Sequence, residues 1–524
     1  MYGKTMATWR KTLNMFGLGF LSIILIGSSG GVVSAAEPHY GGTLTVGMEM
    51  EPRGFDTIKT GFLSSRARSH IMAIEERLFD ADAEGNLIPE LALSATPSDD
   101  GKTWTIKLRQ GVIFHDGTPF NADAVAVHWQ RMLDPANKFR GGSVIRPVKA
   151  VNKVDNFTVR FELKHAWAEF LPILTSQSAI SSFIPSPKAV AEDTQNRAPV
   201  GTGPFMFKEW MSGDRLVVVK NPNYWRKGKP YLDQVVYRTM PDMQTRFDSL
   251  RSGEVDIIYT DMGKDILEAQ SESSLQVWAS DEPGAGIFYF NTSKPPMDDV
   301  RVRRALAHAW NQDQYIQTIH KGVHPVAHDP FGSTSSCGDV GYREPDLAVA
   351  RELIKEYGQP VEFEYLHSST PRGREAGAII PQMFKEIGAT AKPVPVTLGQ
   401  MVRRVFKNEY QMSAWSLVDS PAMGVVLATN LHSKSRGNHS HYKNDKLDKL
   451  IETQLMSTDP EIRNEAFCGI AKIINEDVPL VYRLGWRHHL IGKKKVQGIP
   501  GARHAVVQVG GAWLEPDANL QAKK

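Results

Sequence analysis

Cysteine is nearly missing from this chain: 524 residues hold two, Cys337 and Cys468. Neither stands in a paired C-x-x-C spacing, which excludes a zinc ribbon and a thioredoxin-type redox motif. A Walker A loop and a glycine-rich dinucleotide fingerprint are absent as well. The one formal nucleophile elbow, GSSGG at 27–31, falls in a leader-like stretch with no hydrolase core behind it. Long apolar runs are also lacking. The single candidate, Phe16 to Gly27, is shorter than the roughly 20 residues that a bilayer-spanning helix needs. A surplus of charge is the last absence. The formal charge is +3, and Lys4, Arg10 and Lys11 supply it in a stretch without acids. From residue 37 onward the chain is neutral, so electrostatics give nucleic-acid binding no support.

What is present begins with export. A basic opening (MYGKTMATWRKTLNM), an apolar centre (FGLGFLSIILIG) and small residues ending in VVSAA lay out a secretory signal peptide, cleaved after Ala36. In the oxidising compartment this implies, the two cysteines either form one long-range disulfide or pack as buried thiols. Spacing does not decide between them.

Hydrophobic periodicity then divides the rest. Leu44 and Val46 alternate as a strand, as do Trp104, Ile106 and Leu108, and later Phe157, Val159, Phe161 and Leu163. Asp116-Gly117 makes a turn, and Asn121 or Asp123 caps a helix that carries Val125, Trp129 and Met132 on one face. From about residue 284 the pattern changes. Asp298-Asp299 opens a helix, and VEFEYL, REAGAIIPQMFKEIG, AKPVPV, a helix at Met401 to Phe406 and YQMSAW alternate strand with helix. That order builds a parallel sheet covered by helices. VQVGGAW near the end reads as a last strand returning to the first lobe.

Few residues offer chemistry. In AWSLVDSPAM, Asp419 follows a strand ending Ala414-Trp415, at the carboxyl end where open α/β sheets meet ligands. An isolated buried carboxylate costs several kcal/mol, so Asp419 is either solvated in a turn or awaits a cation. Arg372 and Arg374 open a helix, where the macrodipole opposes them. They are either solvated or held to receive a carboxylate. Trp415, Phe62, Trp167 and Trp513 lie near strand ends as core or as pocket wall. His432, His439 and His441, with His488 and His489, lack a thiolate or carboxylate at helical spacing and read as solvated loop side chains, with no metal site.

Four ordered blocks, DGTPFNADAVAVHW, VGTGPFMFKEW with GDRLVVVKNPNYW, RFDSLRSGEVDII and DDVRVRRALAHAWNQDQYI, resemble the family 5 extracellular solute-binding proteins of bacterial ABC importers. That group includes dipeptide-, oligopeptide- and nickel-binding proteins. The resemblance implies an α/β fold: a bilobed periplasmic binding protein with two mixed α/β lobes, a hinge, and an extra subdomain in the first lobe. The chain would divide into a signal peptide (1–36), a first lobe (37–283) with the subdomain at about 70–200, a second lobe (284–486) and a segment (487–524) returning to the first.

The implied activity is that of a non-catalytic, monomeric periplasmic receptor without cofactor or nucleic acid. It would capture a short peptide or similar small solute and deliver it to an inner-membrane ABC permease. A metal chelate, a sugar or an apolar solute is the alternative ligand, and an exported hydrolase the alternative class. In peptide-binding members an aspartate near a strand-end tryptophan pairs with the ligand's amino group, and an arginine at a helix start holds its carboxylate. The resemblance gives these roles to Asp419, Trp415 and Arg374, with Arg372 and Phe62 beside them. The usual acid position is Val418 here, which leaves open whether Asp419 replaces the amino anchor.

Overall fold

The computed structural model describes residues 37–60, 68–82, 86–175, 183–417 and 422–516. The expected signal peptide, Phe62 and the segment 418–421 with Asp419 lie outside the described residues.

Ten strands form one mixed sheet. In chain order they are β1 (Thr43–Met48), β2 (Phe205–Met211), β3 (Arg215–Lys220), β4 (Gln234–Thr239), β5 (Ile257–Thr260), β6 (Leu275–Phe290), β7 (Glu362–Ser368), β8 (Thr390–Val396), β9 (Met412–Ser416) and β10 (Leu480–Lys493). Their order in space is β8-β7-β9-β6-β10-β5-β1-β4-β3-β2. The parallel set expected in the second half is there, since β7 pairs in parallel with β8 and β9. It is not a sheet of its own, because β9 continues antiparallel onto β6.

The chain passes from one end of this sheet to the other along β6 and returns along β10. These two strands are antiparallel neighbours. The ladder slips between Glu282 and Ala285, and again between Gly286 and Ile287. Gly284 takes φ +106 in the slip, a conformation that costs glycine little and other residues much. Two mixed α/β lobes thus meet at a hinge where both connecting strands lose regular pairing at the same level.

Helix starts follow local capping chemistry. Asn121 accepts from the N–H groups of Asp123 and Ala124 and starts Ala122–Leu133, whose Val125, Trp129 and Met132 are buried. Asp299 caps Val300–Ala309, Thr370 caps Pro371–Lys385, and Thr397 with Gln400 forms a reciprocal capping box for Leu398–Phe406. The subdomain is a four-stranded antiparallel sheet of Ala92–Pro97, Thr103–Leu108, Thr158–Leu163 and Val148–Asp155. Trp129 meets Phe161 edge-on, and Trp167 packs with Phe170 in the same core.

The tail differs from its expectation. VQVGGAW contributes only Trp513 to a strand, Trp513–Leu514, which pairs with Val496–Gln497. Gly510 and Gly511 interrupt it as a turn, while Val507, Val509 and Ala512 pack into the core around Leu44 and Val46. The cysteines, left open above, are joined: Cys337 and Cys468 form a disulfide across a sequence separation of 131. Closing a loop of that length stabilises by about 5 kcal/mol in the chain-entropy picture. Among the described residues no helix is long and apolar enough to cross a membrane.

The root of the subdomain is polar, and most of its side chains bond within the first lobe. Glu76, 2% exposed, accepts from Thr202 Oγ1 (2.9 Å), Tyr224 OH (2.7 Å) and Trp225 Nε1 (2.7 Å). Gln195 donates to Glu75 at 2.8 Å, and Arg77 and Arg226 both pair with Glu90. The two glycines of VGTGP exist for this junction, because a Cβ at Gly201 would lie 2.2 Å from the Ile74 carbonyl oxygen.

Candidate functional site

Asp261 follows directly on β5, a strand buried along its whole length. It is 8% exposed, and Thr260 before it pairs with His489 on β10, which in turn pairs with Ala279 shortly before the slip in β6. The helix Pro371–Lys385 of the second lobe brings Arg372 against it, Nη1 to Oδ2 at 2.6 Å. This ion pair therefore joins the lobes. Arg374, two residues on, is exposed and donates to the carbonyl of Ser369 in its own loop. A helix turns by about 100° per residue, so residues two apart face different ways, and Arg372 is the one directed inward.

Imidazoles surround the pair. His320 ends the helix Gln312–His320, and His324 follows four residues later; their rings meet edge-on at 4.8 Å. His324 also faces His489 (6.1 Å) and Trp486 (6.2 Å), both on β10, and Tyr315 lies 5.5 Å from His320. The approach is tight, for a Cβ at Gly263 would come within 2.1 Å of the His320 carbonyl oxygen. His320, His324 and His489 are all nearly fully buried. Both ring nitrogens of His320 and of His324, and Nδ1 of His489, have no hydrogen-bond partner. Burial pushes His324 down to about 3 and His489 to about 4, and lowers His320 further. The positive neighbours Arg372, Arg483 and Arg487 add to this, against Asp261.

Trp415 is half-buried at the end of β9, with His439 5.5 Å and Tyr289 6.3 Å from its ring. Arg483 fixes the strand behind it, donating to the carbonyls of Trp415 (3.0 Å) and Ile287 (3.1 Å) and reaching Tyr315 OH at 3.2 Å. Leu417 then bonds the Ala285 carbonyl in the hinge and accepts from Trp486 Nε1 at 3.2 Å. Thus β9 delivers the chain to the hinge immediately before residue 418.

The histidines correct the reading as solvated loop side chains. His439, His488 and His489 are buried. His439 lies among Phe406, Trp415 and Tyr289, and burial takes it down to about 4. The polar segment that carries it folds back over an aromatic surface, while His488 and His489 belong to the interior strand β10. His432 pairs with Glu452 at 3.2 Å. Among the described residues no group of three His, Cys, Asp or Glu is placed to hold a metal ion. Of the aromatics, Trp167 is subdomain core and Trp513 is buried against the tail.

Asp261, Arg483, Trp486, His320 and His324 carry no motif. Asp261 was accessible by the strand-end argument applied to Asp419, since IIYTD is an apolar strand ending in an acid. Nothing local in the sequence distinguishes His320 or His324 from a surface histidine.

The comparisons bear on family and fold. The family model for bacterial extracellular solute-binding proteins, family 5 Middle, matches residues 86–438. A probable di/tripeptide-binding protein 5 of Pseudomonas aeruginosa is 28% identical over 88% of this chain and 94% of its own length. A glutathione-binding protein of Pectobacterium atrosepticum is 28% identical over 80% of this chain and 84% of its own. Among solved structures, the periplasmic binding protein DppA of Helicobacter pylori, in complex with the peptide STSA, superposes with a TM-score of 0.79 at 25% identity, covering 91% of this chain and 99% of that one. The chain belongs to the family 5 bacterial extracellular solute-binding proteins.

Proposed function

We propose that the chain is the periplasmic receptor of an ABC importer, exported by its N-terminal signal peptide, that captures a short peptide or similar small zwitterion between its lobes and hands it intact to an inner-membrane permease. The reading is of a monomer that binds without turnover and without nucleic acid. The observation that carries it is the seam: a guanidinium and a carboxylate from opposite lobes, Arg372 and Asp261, meet at the hinge beside buried imidazoles whose nitrogens are unpartnered. Buried polar atoms are matched almost everywhere in folded proteins, so a cluster that is not matched marks a place where another molecule supplies the partners. The relatives named for di/tripeptide and glutathione binding support a ligand with a free carboxylate.

In this reading Arg372 holds the ligand carboxylate, with the exposed Arg374 the less favoured anchor. Asp419 meets the ligand's amino group, and Trp415 and Phe62 form walls. The lobes divide within β6 and β10 at the hinge, close to the boundaries 283/284 and 486/487. Native mass spectrometry of protein purified without refolding tests the reading, together with calorimetry on di- and tripeptides carrying free, N-acetylated or C-amidated ends. A retained peptide, and a loss of heat on blocking either end, is the expected result. Silence from every peptide, or a retained mass of another class, would overturn it.

A further inference from the structure

Glu169 lies far from the Arg372 seam in sequence and has no part in the ligand reading, yet it is 1% exposed and charged-group chemistry surrounds it. It comes from the first-lobe subdomain, next to the core residue Trp167. Its oxygens reach across to the second lobe. Oε1 accepts from Gly424 N and Oε2 from Val425 N, both at 2.8 Å, and Arg463 Nη2 lies 3.1 Å from Oε1. Gly424 and Val425 are in the first turn of the helix Met423–Leu431, whose own cap position is Ala422, without a side-chain hydrogen bond. A helix start leaves N–H groups without intrahelical acceptors, and here the missing cap is supplied by another lobe. Ala168 N bonds the Leu455 carbonyl beside it at 3.1 Å, and Ala422, Val425 and Leu455 join the subdomain's apolar cluster.

We propose that Glu169 is a positioning residue for ligand capture: a cross-lobe latch that caps the helix Met423–Leu431 when the lobes are closed and so raises affinity without touching the ligand. Among the described residues the chain crosses between lobes in β6 and β10, both irregular at the hinge. Every contact from the subdomain to Met423–Leu431 is therefore made or broken as the hinge moves. A carboxylate paired with a helix start and a guanidinium suits that duty. Closed, the two N–H bonds and Arg463 offset the burial that pushes Glu169 upward from its ordinary value. Open, carboxylate, amides and guanidinium are each well hydrated, which an apolar contact would not be. The inference rests on closure around a ligand, not on the ligand's identity.

The test compares the parent with Glu169→Gln, which keeps the shape and one acceptor oxygen, and with Arg463→Gln. Calorimetry and stopped-flow with trialanine read affinity and dissociation. Solution scattering of the protein as purified, with its retained ligand, reads the closed fraction whatever that ligand is. Glu169→Gln is expected to weaken binding by about tenfold or more, mostly through faster release, as loss of a charge-assisted, buried contact does. It is also expected to enlarge the scattering radius, with the melting temperature of the ligand-stripped protein unchanged. Because Arg463 acts through Glu169, the double variant should be no worse than Glu169→Gln alone. A variant that melts earlier without ligand while keeping its affinity and radius would make Glu169 a plain structural acid and overturn the proposal. So would affinity and radius equal to the parent's. If the parent itself ignores trialanine, the peptide reading fails while the scattering comparison still decides the latch.

Discussion

Two polar clusters involve the first lobe, and they are built on different principles. At the root of the subdomain Glu76 takes three donors at 2.7 to 2.9 Å, all from the same lobe. At the seam, Arg372 and Asp261 come from different lobes, and the neighbouring His320 and His324 leave four ring nitrogens without partners. The Glu76 carboxylate is matched as it stands, although Arg77 Nε and Arg226 Nε beside it have no hydrogen-bond partner; the imidazoles of the seam are matched only with something added. Buried polar groups are costly unless matched, so a fold keeps the first kind for stability and tolerates the second where it is filled in use.

If that contrast holds, damage to the root should reach folding first. Glu76→Ala removes the shared acceptor of Thr202, Tyr224 and Trp225 and strands one buried and two half-buried donors. The expected cost is about 3–5 kcal/mol of unfolding free energy, read by urea denaturation of ligand-free protein. A loss under about 1 kcal/mol would mean that the root relaxes freely and that the two clusters do not differ in kind.

Damage to the seam should appear in binding instead. Arg372→Ala is expected to weaken a free dipeptide by about 2–4 kcal/mol, the range for breaking one partner of a buried charge pair. Its effect on the C-amidated dipeptide should be much smaller, because the carboxylate is then already missing. Calorimetry on both peptides closes the cycle. Equal losses for both would show that Arg372 serves only Asp261, making the seam a structural pair like those at the root.

The same contrast explains what the sequence disclosed. The blocks that carry the family resemblance are almost all scaffold. Thr202, Tyr224 and Trp225 serve Glu76; Arg246, in RFDSLRSGEVDII, donates to the carbonyls of Met240 and Tyr259; Arg303, in DDVRVRR, donates to those of Met297 and Asp477. Some of these tie local turns, as Arg246 does, and others join segments more than a hundred residues apart, as Glu76 and Arg303 do; the blocks that hold them carry the resemblance through their order, and with it the fold. Helix starts were legible because their caps are local, since Asn121 and Asp299 act within three residues of themselves. The seam is assembled from strand ends and helix ends more than a hundred residues apart, as Asp261 and Arg372 are. Periodicity holds no information on such meetings. Burial of the histidines was missed on this ground: a polar loop sequence predicts exposure, and long-range packing of His439 against Trp415 reverses it.

A third prediction uses protons. His320, His324 and His489 are held neutral in the closed seam, below the ordinary value of 6.5. The groups facing them are Asp261, Arg372, Arg483, Arg487, Asp281 and His488. An open seam hydrates the rings and lets them take up protons near 6.5, so the open form binds more protons at acid pH. Closure is then fully favoured above 6.5 and lost as pH falls below it. Each histidine contributes up to roughly 1 kcal/mol between pH 7 and 5.5. Affinity measured across this window should drop, and His324→Asn should flatten the slope. A flat profile in the parent would mean that the rings stay dry in both states and belong with the root.

The smallest effect is expected at Arg374, and it separates the seam from its own border. The resemblance gave the ligand carboxylate to Arg374, with Arg372 beside it two residues away on the same helix start, and the direction of the two side chains favours the reverse order. Arg374 is exposed and spends its donors on the Ser369 carbonyl, so Arg374→Ala should change dipeptide affinity and stability by less than about 0.5 kcal/mol. Calorimetry on the free dipeptide beside Arg372→Ala decides the order. Were Arg374→Ala the more harmful of the two, the ligand carboxylate would have to be reached from outside the hinge. The Arg372–Asp261 pair would then be a bolt between the lobes and not a site.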